Sequence, residues 1–325
     1  MHATEDLLAS PPTSRAVVYT ALAANVFIAV SKAIAAAWTG STAMLSEAVH
    51  SFVDSGNEVL LLYGAHRARR PPDAQHPFGH GRELYFWSFV VALLIFALGS
   101  GVAILKGIAD VRHPSPISDP VVSYVVLALA FAFEGVSFVV SLRKVSATKG
   151  DLGLYEAFRR SKDPPTFMVL FEDSAALVGI VIAACGTYAS TSLGMPAADG
   201  VASILVGVVL AAISLVLARE SKSLLIGEQA DRVLEASVRR VAESAGCRSK
   251  VNGLLTAQLA PDQIVAALSL EFADELRAFE IEQDVIDIER AIRAAHPTVI
   301  MVFIKPQTDR TFRLAVQRRL GENAD

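Results

Sequence analysis

The sequence predicts an α-helical membrane protein, with six transmembrane helices followed by a small cytosolic α/β domain of ferredoxin-like order α-β-β-α-β. Two observations carry this. The 325 residues are 53% hydrophobic with a mean hydropathy of +0.44, too apolar for a chain whose whole surface faces water. The excess is also uneven: residues 16 to 219 hold nearly all the long apolar runs, and the C-terminal part carries a charge every few positions. The net charge of −4, without a long basic run interleaved with aromatics, argues against a nucleic-acid partner.

A helix needs about 20 mainly apolar residues to cross the hydrocarbon core. Six stretches meet that requirement, at 16–38, 42–65, 84–106, 119–142, 166–189 and 199–219. The expected division is a six-helix transmembrane domain over residues 1–222 and a cytosolic C-terminal domain over 223–325. The opening MHATEDLLASPPTSR lacks the basic flank, apolar stretch and cleavage site of a secretory signal, so the first span is expected to be retained. Basic residues cluster between spans 2 and 3 (Arg67, Arg69, Arg70, Arg82) and between spans 4 and 5 (Arg143, Lys144, Lys149, Arg159, Arg160, Lys162). The links 1–2 and 5–6 carry no Lys or Arg, and Arg112 stands near the start of link 3–4. The positive-inside rule places both termini and both basic links in the cytosol. An Ala- and Arg-rich chain of this kind fits a bacterial inner membrane. Cys185 and Cys247 make neither a disulfide framework nor a Cys-x-x-Cys site.

In the C-terminal part, Leu234, Val238 and Val241 recur at helical spacing, while Ile264, Ala266, Leu268, Leu270 and Phe272 alternate as one face of a strand. Ile281, Val285, Ile288 and Ile292 mark a second amphipathic helix. Val251–Leu259 and Thr298–Lys305 read as further strands, the last apolar on both faces. One small sheet with two helices on one face is the simplest packing.

Ionisable groups inside a span are costly and therefore point to function. In span 2, Glu47, His50, Asp54 and Glu58 are spaced by three, four and four residues, along one helix face. His50 and Asp54 form an H-x-x-x-D pair whose imidazole and carboxylate can reach one ion. Span 5 adds Glu172 and Asp173. A hydrophilic path for a cation is the reading for His50, Asp54 and Asp173. Asp199 and Glu134 read better as interhelical or helix-end hydrogen-bonding groups, and Glu58 is open between the two. In the loop after span 2, Asp73, His76 and His80 are three and four residues apart and could fold around one zinc-like ion, or simply face solvent.

Together, TAMLSEAVHSFVDSGNE, HPFGHGRE, the acidic motif on span 5 and the α-β-β-α-β tail resemble the cation diffusion facilitator family of metal-ion/proton antiporters, over residues 15 to about 306. SKDP (Ser161–Pro164) followed by FEDSAALVGIVIA is similar to the branch that includes the divergent mitochondrial zinc transporter of animals. The resemblance implies a homodimer joined through residues 223–325, and efflux of a divalent cation, zinc favoured, from the cytosol in exchange for protons. The metal is the transported substrate, and no cofactor is implied. It also implies that His50, Asp54 and Asp173 are ligands of the transport site, and that Asp73, His76 and His80 form a loop metal site. The family pattern has His or Asp where Val169 stands. Glu172 is adjacent to Asp173 but about 100° around the helix, so it is expected to coordinate only after local rotation or unwinding. Where well-known relatives place zinc-binding histidines in the cytosolic domain, this chain has Asn252, Ser269 and Lys305; an ammonium has no lone pair to offer, which argues against metal sensing there.

Two other classes remain. A metal-dependent intramembrane hydrolase is disfavoured because no H-E-x-x-H or comparable catalytic motif is present. A non-transporting metal sensor or scaffold is weakened by the missing cytosolic ligands. Transport of Mn²⁺, Fe²⁺ or Co²⁺ is the nearer alternative, since imidazole plus carboxylate admits all of them.

Overall fold

The computed structural model describes residues 12–114, 116, 117, 119–148, 153, 156–158, 162–245 and 249–320. Lys149, Arg159, Arg160, Ser161, Cys247 and the stretch before Pro12 lie outside the described residues. Two compact units result.

The first unit is helical. Its elements are α1 (Pro12–Thr39), α2 (Thr42–Ala68), α3 (Glu83–Leu94) running through a π-helical turn (Ile95–Ser100) into α4 (Gly101–Arg112), α5 (Pro120–Thr148), α6 (Pro164–Ser192) and α7 (Ala198–Ile226). Counting α3 to α4 as one, the described residues hold six helices of 27 to 30 residues, each about 40 Å long. Four of them, Glu83–Arg112, α5, α6 and α7, are long and apolar enough to cross a membrane. The described apolar part of α1, Asn25–Thr39, is shorter, and α2 is too polar through its middle. The expected count of six is thus carried by composition for four helices only.

α2 has an inverted amphipathicity. Glu47, His50, Ser51 and Asn57 are buried, whereas Phe52, Val59, Leu62 and Tyr63 face outwards. That is the arrangement of a helix whose outer solvent is lipid and whose polar groups must find partners inside. Phe27, Ile34, Trp38, Leu105 and Val121 are likewise exposed on their helices.

Small residues let the outer helices approach. A Cβ on Gly107 of α4 would lie 2.6 Å from the Gly200 carbonyl oxygen of α7, and one on Gly207 would lie 2.6 Å from Ile104. Between them Ser203 Oγ donates to the Ala103 carbonyl at 2.8 Å. Close backbone contact plus an interhelical hydrogen bond replaces the hydrophobic driving force that lipid cannot supply.

The second unit holds residues 68–85, 162, 163, 222–245 and 249–320. It contains α8 (Arg232–Ala245), β1 (Ser249–Ala260), β2 (Gln263–Phe272), α9 (Ala278–Ala295), β3 (Val299–Pro306) and α10 (Asp309–Leu320). The sheet order is β1-β2-β3, with β1–β2 antiparallel and β2–β3 parallel. Val238 and Ala242 of α8 and Ile288 and Ile292 of α9 pack on Ile264, Ala266, Leu268 and Leu270 of β2, so both expected helices cover the same face. Two features add to the sequence reading. β3 is an edge strand covered on one face only: Val299 is buried, but Phe303 on the opposite face is 51% exposed. α10 adds a helix after β3, where Phe312 lies over Gly253 of β1 in space that any side chain at 253 would fill. Residues 68–85 also belong to this unit: Phe78 packs edge-on against Phe303 with ring centroids 6.4 Å apart, and a Cβ on Gly81 would meet Gln263 and Ala260.

Gly200→Leu is expected to cost about 1–3 kcal/mol by overpacking, read as a lower unfolding midpoint in detergent. Gly135→Leu, at a position with nothing within 4 Å of an added Cβ, should leave the midpoint nearly unchanged. Equal loss in both variants would contradict the close α4–α7 crossing.

Candidate functional site

The helical unit encloses a small polar cavity lined by Asn25 of α1, Ser51, Asp54 and Glu58 of α2, Glu134 of α5, and Val169, Glu172 and Asp173 of α6. Its volume is about 20 Å³, enough for one water-sized particle. Five carboxylates from three helices therefore face a space the size of a single ion.

Neighbouring polar groups hold these carboxylates. Ser137 and Ser141, one turn apart on α5, donate to Asp173 Oδ2 at 2.9 and 3.1 Å. Asn57 donates to Glu172 Oε1 at 2.9 Å, and Asn25 donates to Glu58 Oε1 at 2.6 Å. Each bond offsets part of the desolvation cost of its carboxylate and fixes its orientation.

Glu172 and Asp173 both line the cavity from an unbroken helix. The reason is angular. Positions 169, 172 and 173 stand at i, i+3 and i+4 and so share a face; Val169 points at the cavity between the two acids. Val169 itself brings no donor atom, but Glu134 and Glu58 supply oxygens from other helices. Glu134, read from sequence as a hydrogen-bonding group, thus stands in the cavity wall.

His50 is placed differently. It is buried, and its Nδ1 lies 3.3 Å from Asp54 Oδ1, yet it does not line the cavity. The distance is that of an ion pair, but the angles are not those of a hydrogen bond: both ring nitrogens and Asp54 Oδ1 are without a hydrogen-bond partner. Buried imidazole nitrogens normally find one, and an unpartnered imidazole beside a carboxylate is a donor set that a transition-metal ion uses. Asp199, by contrast, accepts from Ser41 Oγ at 2.9 Å and from the Ala43 N–H at 3.0 Å. It caps the start of α2 from α7.

Among the described residues, one group of three or more His, Cys, Asp or Glu has ligand atoms mutually within 4.8 Å: Asp73, His76 and His80. Asp73 Oδ1 accepts the N–H groups of Gln75 (2.9 Å) and His76 (2.6 Å) and lies 3.2 Å from His76 Nδ1, while Oδ2 lies 3.0 Å from His80 Nε2. Gly79, with φ of 82°, takes the left-handed conformation that turns the chain between the histidines. His80 is buried, and Asp73 and His76 are half exposed. The His76 N–H above all, then the His80 ring, holds the Asp73 carboxyl at about 2, below its ordinary 3.8. Because the folded value is depressed, this contribution to loop order is complete above pH 3.8 and is lost as pH falls through about 2. At neutral pH the Asp73 carboxylate is ionised and ready to meet a metal ion.

Comparison with known proteins decides the family. The cation efflux transmembrane domain matches residues 18–226. The chain belongs to the cation efflux family. This cation efflux protein is 35% identical over 221 residues to metal tolerance protein C4 of Arabidopsis thaliana, a match covering 67% of this chain and 48% of the relative. It is 37% identical over 207 residues to the mitochondrial proton-coupled zinc antiporter SLC30A9 of Xenopus laevis (62% of this chain, 37% of the relative). With the human SLC30A9 it shares 33% over 227 residues (67% and 40%). The matches span less than half the length of each of these relatives.

Sequence reading missed Lys32, Asn25, Asn57, Ser137 and Ser141. For Lys32 the signal was available, a charged residue inside an apolar run; the neutral polar residues gave none.

Replacing both His76 and His80 by Ala is expected to remove one equivalent of bound Co²⁺ or Zn²⁺ from the purified protein, with helix content by circular dichroism unchanged. Unaltered metal stoichiometry would reduce the trio to an ordinary turn.

Proposed function

We propose that this chain is a homodimeric secondary transporter that moves a divalent metal ion, zinc first, out of the cytosol in exchange for protons. It would sit in a cell membrane with six spans and both termini cytosolic. The observation that carries the reading is the ion-sized cavity with five inward-facing carboxylates, reached by His50 through Asp54. The relatives named as proton-coupled zinc antiporters supply the zinc and the proton.

The chemistry follows from competition. A metal ion binds carboxylates and imidazole only in their deprotonated forms, so metal and protons exclude each other at Asp54, Asp173, Glu172 and His50. Protonation from the far side expels the metal, and metal arriving from the cytosol expels the protons. Exposing the cavity alternately to the two sides makes this exchange antiport. The outer sheet face with Leu255 and Phe303, both more than half exposed, is the surface through which two copies would join.

A second reading of the cargo has its own support. The cavity wall is oxygen-rich and His50 stands behind it, which suits Mn²⁺ or Fe²⁺ better than a nitrogen-rich site would.

Metal uptake into inverted vesicles, across a panel of ions with and without a pH gradient, separates the two. The account expects gradient-driven Zn²⁺ uptake that Asp54→Ala and Asp173→Ala each abolish while the protein stays folded and dimeric. The His76→Ala, His80→Ala double variant should reduce flux without abolishing it. Near wild-type flux in either aspartate variant would sink the site assignment.

A further inference from the structure

A second buried charge cluster lies next to the cavity. Lys32 of α1 is fully buried; its Nζ stands 3.2 Å from Glu47 Oε2 and donates to Ser51 Oγ at 2.8 Å. Glu47 is also fully buried, and its Oε1 has no hydrogen-bond partner. That oxygen rests against Gly179 of α6, where an added Cβ would overlap it. One ion pair therefore joins α1 to α2 and presses both onto α6, and only glycine at 179 leaves room for it.

Residue spacing places this layer. Lys32, Glu47 and Gly179 stand seven, seven and six residues from Asn25, Asp54 and Asp173 along α1, α2 and α6, about 10 Å of helix. On all three helices the offset runs towards the α1–α2 turn at Gly40 and Ser41. Ser51 belongs to both layers, since it lines the cavity and accepts from Lys32. Neither Lys32 nor Glu47 lines the cavity. Beyond them Ala35, Ala36, Ala43, Met44, Ile180 and Ala183 close-pack.

Apolar residues of similar volume would stabilise such a junction as well or better, because the attraction within a buried pair barely offsets its desolvation. What the pair adds is two opposite charges held together between the carboxylates and one end of the bundle, in a contact that must break if α1 and α2 move away from α6. We propose that Lys32 and Glu47 form a charged seal on the α1–α2-turn side of the cavity. While intact it blocks a cation from crossing there, and it parts when the cavity opens to that side. The inference rests on the transport reading, for which this is the exit side.

The test uses the full-length protein in liposomes of determined orientation, with Cys185→Ser and Cys247→Ser as background and Val169→Cys as a reporter in the cavity wall. A membrane-impermeant thiol reagent is applied from the side bearing the α1–α2 turn. Lys32→Met, which keeps the chain length and removes the charge, and Glu47→Gln should each be labelled at least about ten-fold faster than the reporter alone. The charge-swapped pair Lys32→Glu with Glu47→Lys should return to the slow rate. Unchanged labelling in Lys32→Met would overturn the seal, as would fast labelling of the swapped pair in protein that remains monodisperse and helical. Metal flux through the protein without the reporter is read separately, so loss of the transport reading and loss of the seal are distinguishable.

Discussion

Ionised groups in hydrocarbon cost about 3 kcal/mol each at a helix centre, and the helical unit is arranged around that cost. Glu47, Asp54, Glu58, Glu134, Glu172 and Asp173 all lie within the bundle, and each of α1, α2, α5 and α6 contributes to containing them. Lys32 answers Glu47, Asn25 answers Glu58, Asn57 answers Glu172, and Ser137 and Ser141 answer Asp173. Asp54 differs from these four. Its Oδ1 has an ion-pair distance to His50 but no hydrogen bond, and that residual need is what a cation would meet. The apolar sides of the same helices are left for lipid, and the glycine-mediated α4–α7 contact closes the bundle without drawing on the polar core.

The two candidate metal sites differ in a way that suits different tasks. In the loop, backbone N–H groups and a left-handed glycine already hold Asp73, His76 and His80 together, so little reorganisation precedes binding. Within the bundle the carboxylates come from separate helices and the imidazole stands to one side, so an ion bound there would tie α2, α5 and α6 to one another. A carrier needs such a site, because a ligand shifts a conformational equilibrium only by as much as it binds one state better than the other.

Much of this was legible from residues alone. The inward acids of α2 and α6 stood out because charge in an apolar run has few innocent explanations, and the strand and helix periods of the C-terminal part gave its order and its shared core face. Spacing along one helix could not say which acids from different helices meet, which is why Glu134 was read as an interhelical or helix-end hydrogen-bonding group and Lys32 was passed over. That the strand at Val299–Pro306 is apolar on both faces was legible, but not that Phe303 is half exposed, because an apolar side chain does not report what covers it. The helix at Asp309–Leu320 was missed because its apolar face is a thin one, Phe312, Ala315 and Val316 set among arginines.

The central claim is that the cargo binds in the cavity between α1, α2, α5 and α6. Anomalous diffraction from crystals grown with Co²⁺ locates the ion directly. The account predicts a peak within coordination distance of Asp54 and Asp173, with a second at Asp73, His76 and His80. A peak at the loop alone, with the cavity carboxylates still bonded to Asn57, Ser137 and Ser141 at saturating metal, would contradict it.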